Sequence, residues 1–227
     1  MTFDNPYIQI TTRCNMTCAH CCFAATKVGQ DMTVATAKKA ITLFSPYKCN
    51  DNYCVIGGGE PTLNPKFWEI IGLAMSHYEI WMATNGSTTR IALRLAELAK
   101  QGKLAVKLSQ DKYHDAIDPK VVQAFKRSDK PDFRDKREMD RPINDSWLAH
   151  GRAISLAEND SDIYLRHSCV CEGPFVKPNG DVHVCGCVGS YKLGNVKRLT
   201  AKQIEKFSQM DIPECGVGYS PEDEDYP

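Results

Sequence analysis

The chain has 227 residues, 42% of them hydrophobic, enough for one sizeable core or a core with a small appendage. Lysine and arginine balance aspartate and glutamate at 28 each and the sequence pI is about 7.0, which argues against broad electrostatic capture of nucleic acid while leaving a local basic patch open. The opening MTFDNPYIQI lacks the basic and apolar parts of a secretory signal, and no run approaches the roughly 18 apolar residues of a membrane span, so a cytoplasmic protein without membrane contact is expected. Eleven cysteines, an odd number, then point to metal or redox chemistry rather than a disulfide framework.

Taken in chain order, YIQIT (7–11) has strand character and TVATAKKAITLFS (33–45) the apolar spacing of an amphipathic helix. CVIGG (54–58) is a short buried strand, and PKFWEIIGLAMSH (65–77) is a helix with a proline suited to its first turn. EIWMAT (79–84) is a strand, TTRIALRLAELAKQG (88–102) a helix ending at glycine, and LAVKLS (104–109) a strand. DPKVVQAFKR (118–127) opens with an aspartate cap and a proline. This alternation implies parallel strands joined by crossover helices. The charged stretch 127–144 breaks the rhythm and is expected to be a surface excursion. DSWLAHGRAISLAEN (145–159) is expected to be helical, and DIYLRH (162–167) to be a strand. The acidic tail PEDEDYP is expected to fray.

Strand periodicity sorts the interior. Leu104, Val106 and Leu108 share one face of LAVKLS, and Ala105, Lys107 and Ser109 share the other. In a (β/α) barrel the apolar faces pack on the helices, and Gln9, Thr11, Lys107, Ser109, Tyr164 and Arg166 then look inward. A filled structural barrel prefers valine and isoleucine there. Inward polar residues suggest a lumen that holds a polar ligand; a few hydrogen-bonded core polar groups are the alternative.

The segment TTRCNMTCAHCC (11–22) holds four cysteines within nine positions. Cys14, Cys18 and Cys21 are spaced C-x3-C-x2-C, close enough for one loop to wrap one inorganic core. Thiolates select zinc, copper(I) or iron–sulfur clusters. A structural zinc site takes four ligands, whereas three leave one iron of a [4Fe–4S] cluster open. This loop resembles the cluster loop of the radical S-adenosylmethionine (SAM) superfamily, placed after the first strand of a partial (β/α)6 barrel. GGGEP (57–61) is similar to the motif that follows the family's second strand, ATNG (83–86) resembles a sequence at the end of its third, and LSQD (108–111) ends the fourth. The resemblance implies that SAM chelates the open iron and that one electron cleaves it to methionine and a 5′-deoxyadenosyl radical, which abstracts hydrogen from a substrate. It implies a cradle of Gly57, Gly58, Gly59 and Glu60 for the SAM amino group and Asn85 towards the adenosine. Ser109 would meet the carboxylate or ribose, and His20 would lie beside the adenine; Arg166, on the last strand, is a candidate for the SAM carboxylate or an acidic substrate group. Cys22 lies outside the spacing and is expected, with Cys49 and Cys54, to be a small packing residue.

A second group follows in SCVCEGPFVKPNGDVHVCGCVGSYKLGNV (168–196). KPNGDVHVC has the pattern of a hairpin with an Asn-Gly turn, which would bring Cys169 and Cys171 near Cys185 and Cys187; Cys215 lies further on. Cys169, Gly180 and Cys185 resemble the opening of the SPASM or twitch extensions of the same superfamily. That implies an auxiliary [4Fe–4S] cluster held by four of Cys169, Cys171, Cys185, Cys187 and Cys215; a structural zinc is the alternative. The expected division is a barrel over 1–167 and a metal-binding extension with its tail over 168–227.

Asp111 and His114 are candidates for an acid–base pair on a substrate shelf, with a capped loop as the plainer reading. Tyr164 is a candidate beside the radical, with packing as the alternative. Arg152 suits a salt bridge or a substrate contact. The expected partners are an electron donor such as flavodoxin or ferredoxin and a substrate. A peptide or protein side chain is the first substrate class; a small metabolite, nucleotide or nucleobase, including a DNA base, is the second. With no winged-helix segment to grip a leader, a separate partner would present a ribosomal peptide. A non-enzymatic zinc or iron–sulfur module is the distant alternative.

Overall fold

In the computed structural model the described residues are 5–47, 53–127, 132–139, 146–148, 151–155, 164–166, 173–186 and 189–208. Strands β1 (Tyr7–Thr11), β2 (Tyr53–Gly58), β3 (Glu79–Thr84), β4 (Ala105–Leu108) and β5 (Arg137–Met139) pair in sequence order, each parallel to the next. Helices α1 (Val34–Phe44), α2 (Phe67–Met75), α3 (Thr89–Lys100) and α4 (Pro119–Phe125) fill the crossovers. The mostly parallel α/β sheet is that expected of a partial (β/α)6 barrel.

Period-two burial sets the strand faces. Ile8 and Ile10 of β1, Cys54 and Ile56 of β2, and Val106 and Leu108 of β4 have no exposed surface and pack under the helices. The helices cover them with Phe44, Phe67 and Phe125, each side chain contributing about 1.5–3 kcal/mol on burial. Gln9 and Thr11 are buried on the opposite face of β1, where the polar inward positions were expected. Local chemistry fixes the helix starts: Thr33 Oγ1 accepts from Thr36 N at 3.2 Å, and Asp118 Oδ1 from Lys120 N at 2.9 Å ahead of Pro119. Helix α2 begins at Phe67 rather than at Pro65. Asn64 Oδ1 accepts from Lys66 N, and Asn64 Nδ2 donates to Ile10 O and Met32 O, so a turn pinned to β1 occupies the expected first helical residues.

Two expectations are corrected. The charged stretch 127–144 is not only a surface excursion, because β5 lies inside it. Arg137 is buried there by a bidentate pair with Asp135 (Nη2–Oδ2 2.6 Å) and by donating to Ala124 O. Residues 146–148 form strand β6 rather than the start of a helix, pairing in parallel with β7 (Tyr164–Arg166); the helical residues described in this region are 153–155. The hairpin of β8 (Phe175–Val176) and β9 (Asp181–His183), with β10 (Lys192–Asn195) beside it, continues the barrel sheet. β8 pairs in parallel with β1, giving the order β10-β9-β8-β1-β2-β3-β4-β5. Helix α5 (Ala201–Ser208) follows. Cys185 is buried in the same apolar core. Cys49, Cys169, Cys171, Cys187 and Cys215 lie outside the described residues, and Tyr164 and Arg166 are described as backbone alone.

Candidate active site

The loop from β1 to α1 is bolted at both ends. Arg13 pairs with Asp31 (Nη2–Oδ2 2.7 Å) and donates to Leu63 O, while Thr11 Oγ1 donates to Asp31 Oδ1. Cys14 N donates to Thr26 O at 2.7 Å, and Cys21 N to Cys18 O at 3.2 Å. Within this frame Cys14, Cys18, Cys21 and Cys22 are free, partly exposed thiols on one wall of a cavity of about 380 Å3. Glu60, Ala83, Asn85 and Ser109 supply further walls from the C-terminal ends of β2, β3 and β4. Burial pushes the Cys14 thiol above its ordinary value and Cys22 up to about 11. Cys22, expected as a packing residue, lines the same cavity.

The glycines of GGGEP serve the protein's own backbone. A side chain at Gly57 would enter the Tyr7 hydroxyl, one at Gly58 would meet Thr11 O, and one at Gly59 would meet Arg13 O. Gly58 also sits at φ +141°, a conformation that side chains disfavour. Close contact of β2 with β1 and its loop therefore explains the three glycines, and Gly58 and Gly59 line the cavity as well. Glu60, 1% exposed, gathers the strand ends: Oε1 accepts from Thr62 N, Thr62 Oγ1 and Thr84 Oγ1, and Oε2 from Asn85 N at 2.7 Å. Burial pushes its pKa upward against four hydrogen bonds that favour the carboxylate. Oε2 keeps lone-pair capacity for a cationic partner.

Asn85 faces the cysteine loop. Its Nδ2 donates to Asn15 Oδ1 at 3.1 Å and to Cys14 Sγ at 3.7 Å, and its Oδ1 accepts from Ser87. Beyond β4, Asp111 Oδ1 lies 2.8 Å from His114 Nδ1 and Asp111 Oδ2 lies 3.4 Å from His20 Nε2. The His20 ring stands 5.1 Å from His114 and 5.2 Å from Tyr113. Burial works against charge on His114, yet hydrogen bonds with Asp111 and Cys18 raise its pKa to about 10. Burial likewise opposes ionisation of Asp111, and the bond from His114 and that from Tyr113 N overcome it and lower its pKa.

The Radical SAM superfamily profile matches residues 8–135. The chain belongs to that superfamily. Mycofactocin maturase MftC of Mycobacterium tuberculosis is 34% identical over 92 residues, 39% of this chain and 23% of that protein. Its counterpart in Mycolicibacterium smegmatis is 32% identical over the same length. The chain thus matches 23% of the length of these curated relatives. BtrN in complex with AdoMet and 2-DOIA superposes with a TM-score of 0.61 at 19% identity, over 93% of this chain and 84% of that one. Native anSMEcpe with bound AdoMet and Cp18Cys peptide gives 0.55 at 16%, over 90% and 80%. At these identities the likeness is one of fold. An enzyme is thereby met at the level of the family, and SAM with a [4Fe–4S] cluster is what the family implies.

The residues present fit those radical SAM groups. Three free thiols at the family's spacing face one cavity, soft donors for iron, beside a buried carboxylate with capacity for an ammonium. Among the described residues no helix is long and apolar enough to cross a membrane. Sequence reasoning missed the supports of the site. Thr62 and Thr84, which fill Glu60, looked like ordinary loop and strand residues. Arg152, expected in a salt bridge or at a substrate, instead donates through Nε to Cys18 O and through Nη1 to Ala25 O, both at 2.9 Å. Its backbone N donates to Cys21 O, and a side chain at Gly151 (φ +59°) would stand 2.5 Å from Cys21 O and Cys22 O. The dipeptide Gly151-Arg152, a glycine followed by a cation, was the one signal available.

Proposed function

We propose that this chain is a radical SAM enzyme whose Cys14, Cys18 and Cys21 hold a [4Fe–4S] cluster with one open iron, and that its substrate is a peptide or protein side chain. The observation that carries the reading is the set of three free thiols at C-x3-C-x2-C spacing on the wall of a cavity closed by Glu60 and Ser109 at the C-terminal strand ends. Barrel active sites assemble at that end. The bound groups supply a one-electron cleavage of SAM that yields methionine and a 5′-deoxyadenosyl radical able to take hydrogen from an unactivated C–H bond. The chain's own residues orient and enclose. Glu60 accepts from the SAM amino group, Asn85 braces the loop at Cys14 and Asn15, and Ser109 meets the carboxylate or ribose. His20 lies beside the adenine, and Arg166 adds a cation from β7. The strand ends and the cysteine loop exclude water.

The likeness to a maturase and the Cys169–Gly180–Cys185 spacing support a peptide. The same spacing supports an auxiliary [4Fe–4S] cluster in residues 168–227, with zinc as the competing metal and ligands drawn from Cys169, Cys171, Cys185, Cys187 and Cys215. A flavodoxin or ferredoxin is the fitting reductant. Radical modification of a small metabolite or nucleotide is the second reading, favoured by a fold whose neighbours have either a peptide or 2-DOIA in complex.

The test is iron, sulfide and zinc content after anaerobic reconstitution, together with methionine and 5′-deoxyadenosine release from SAM under reductant. Two cubane clusters correspond to about eight irons, falling to about four when Cys14, Cys18 and Cys21 become alanine, with SAM cleavage abolished. Four irons falling to none with one zinc retained would make the second site structural. A Cys18→Ala protein that still cleaves SAM would sink the assignment.

A further inference from the structure

Gln9 lies on β1, on the face turned away from the helices. It is 6% exposed, and among the described residues its carboxamide has no hydrogen-bond partner. Buried polar side chains in folded proteins are nearly always paired, because an unpaired one keeps the cost of leaving water. Strand register shows what surrounds this one. Gln9 lies opposite Gly57. The pairing of Ile56 with Met82 carries the row on to Ala83, which lies opposite Lys107, and Lys107 lies opposite Glu138. A filled barrel has branched apolar side chains in such a row. Here the two residues that follow Gln9 across the sheet are glycine and alanine, and neither side chain offers a polar atom. The row adjoins the cavity: Gly58 and Ala83 belong to its wall, and a side-chain carbon at Gly58 would stand 3.2 Å from Gln9 Cγ. The Tyr7 hydroxyl fills the space over Gly57 and accepts from Gly58 N at 3.0 Å. A trapped water needs about two to four polar partners, more than this corner offers.

We infer that Gln9 is a substrate-binding residue whose carboxamide takes the backbone N–H and C=O of one residue of an extended peptide lying against the inner face of β1. The inference rests on the peptide reading proposed above and names the group that grips the backbone. In an extended chain the N–H and C=O of one residue point to the same side, which is how paired residues of an antiparallel ladder exchange both bonds. A glutamine carboxamide presents the acceptor Oε1 and the donor Nε2 in one plane, so it answers that pair with two bonds at once. The match discriminates between ligands. A carboxylate has no donor for Oε1, and an ammonium has no acceptor for Nε2, so either leaves half of a buried carboxamide unpaired. A single hydroxyl reaches both atoms only at poor angles. Backbone recognition is indifferent to side chains. It fixes the depth of the chain in the barrel while other contacts select the residue that reacts, and the small Ala83 leaves the chain room.

The test is saturation-transfer NMR on the anaerobically reconstituted full-length protein, with SAM and without reductant, using two small probes. N-acetyl-L-alanine methylamide carries the N–H and C=O of one residue. O-acetyl-L-lactic acid methylamide is its ester analogue and lacks that N–H. Wild type should bind the amide about tenfold more tightly than the ester, the effect of one hydrogen bond left unmade at a buried acceptor. Gln9→Met has a similar shape and no amide. It should bind the amide about tenfold more weakly than wild type and no better than the ester. Gln9→Asn, with a shorter side chain, should lose the preference as well, and it decides alone if the methionine variant fails to fold. Gln9→Met should also raise the Tm of the protein without probe, because it removes an unpaired polar group from a buried place. A lowered Tm would show the carboxamide satisfied in the resting protein and would overturn the inference. A preference for the amide that persists in both variants, or equal binding of the two probes by wild type, would overturn it and leave the peptide reading standing. A wild-type protein that binds neither probe would overturn the peptide reading at this site, and the inference with it.

Discussion

Arg152→Ala tests whether the cysteine loop is preformed. The guanidinium makes two hydrogen bonds, Nε to Cys18 O and Nη1 to Ala25 O, each at 2.9 Å, spanning the chain that carries Cys18 and Cys21. A hydrogen bond with a charged donor contributes about 1.5–3 kcal/mol when buried. Arg152 is half-buried, so about 1 kcal/mol for each, or about 2 kcal/mol together, is the sounder figure. The backbone bond from Arg152 N to Cys21 O survives the substitution. Lysine has no planar fork and cannot serve both carbonyls, so Arg152→Lys should recover at most half the loss. The assay is amide hydrogen exchange of the metal-free protein. Amides within 14–25 should lose about thirtyfold in protection, the equivalent of ~2 kcal/mol at 1.4 kcal/mol per decade, while those of α3 stay unchanged. Iron uptake should slow in parallel. Gly151→Ala should act more harshly, because its side chain would meet two backbone carbonyls that cannot swing away. Unchanged exchange in both Arg152 variants would refute the reasoning, since the loop would then be held without the clamp.

Two further predictions concern buried charge. Glu60→Gln turns an acceptor of four donors into a group with two donors of its own, so at least one of Thr62, Thr84 and Asn85 loses its partner. The loss should be about 2 kcal/mol, lowering Tm by about 5 °C in differential scanning calorimetry, with weaker SAM binding by titration calorimetry; an unshifted Tm would show that Glu60 is not the knot of the strand ends. Asp135 is held below the usual carboxylate range by its hydrogen bond with Arg137. A carboxyl depressed in the folded state contributes stability above its unfolded value near 4 that is lost as pH falls through the folded pKa. Urea unfolding should therefore show wild type losing stability below about pH 4 faster than Asp135→Asn, which has no such carboxylate to protonate; parallel acid limbs would refute the role.

What the sequence made legible follows from period and spacing. Strands β1 to β4 are short apolar alternations, and three of their four helices announce themselves through Thr33, Asp118-Pro119 and the run of small residues Ala92, Ala96 and Ala99 that lets α3 lie close to the sheet. The cysteine spacing is local, so it is readable. Strand β5 was hidden because its buried, helix-facing residue is arginine; only the fold supplies Asp135 and Ala124 O to make a guanidinium tolerable there. Strand β6 was hidden because SWLAHGRAIS carries apolar residues at helical spacing, and its pairing with β7 is a long-range fact. His114 was legible as a reactive residue but not in direction: it lines one cavity with Cys18, 96 positions away, and no local pattern encodes which way a ring faces.

The change in composition after residue 167 marks a new kind of sequence, yet hydrogen bonding continues across it. β1 carries the cysteine loop at its C-terminal end and is flanked by β2 on one side and β8 on the other, with Tyr7 opposite Phe175 and Ile8 opposite Val176. Tyr7 and Phe175 stack at 4.8 Å, and Phe23 of the loop lies 5.9 Å from Phe175. Val176, Val182, Val184, Leu193 and Val196 join the barrel's core. A chain ending at residue 172 would leave β1 as an open edge and expose the core surface that those side chains cover, forfeiting the burial of about 1.5–3 kcal/mol each that Val176 and Val182 contribute when fully buried. That is a large part of the roughly 5–15 kcal/mol by which a domain is stable. Followed by the fluorescence of Trp68 and Trp81, the shortened protein should unfold at a much lower urea concentration than the full chain, and its cysteine loop should lose exchange protection with it. An unchanged midpoint would show that the barrel folds without the hairpin, and that β8 only leans on β1. If the two fall together, the strand that presents Cys14 is stabilised from both sides, and the residues following 172 act on the cysteine loop through β1.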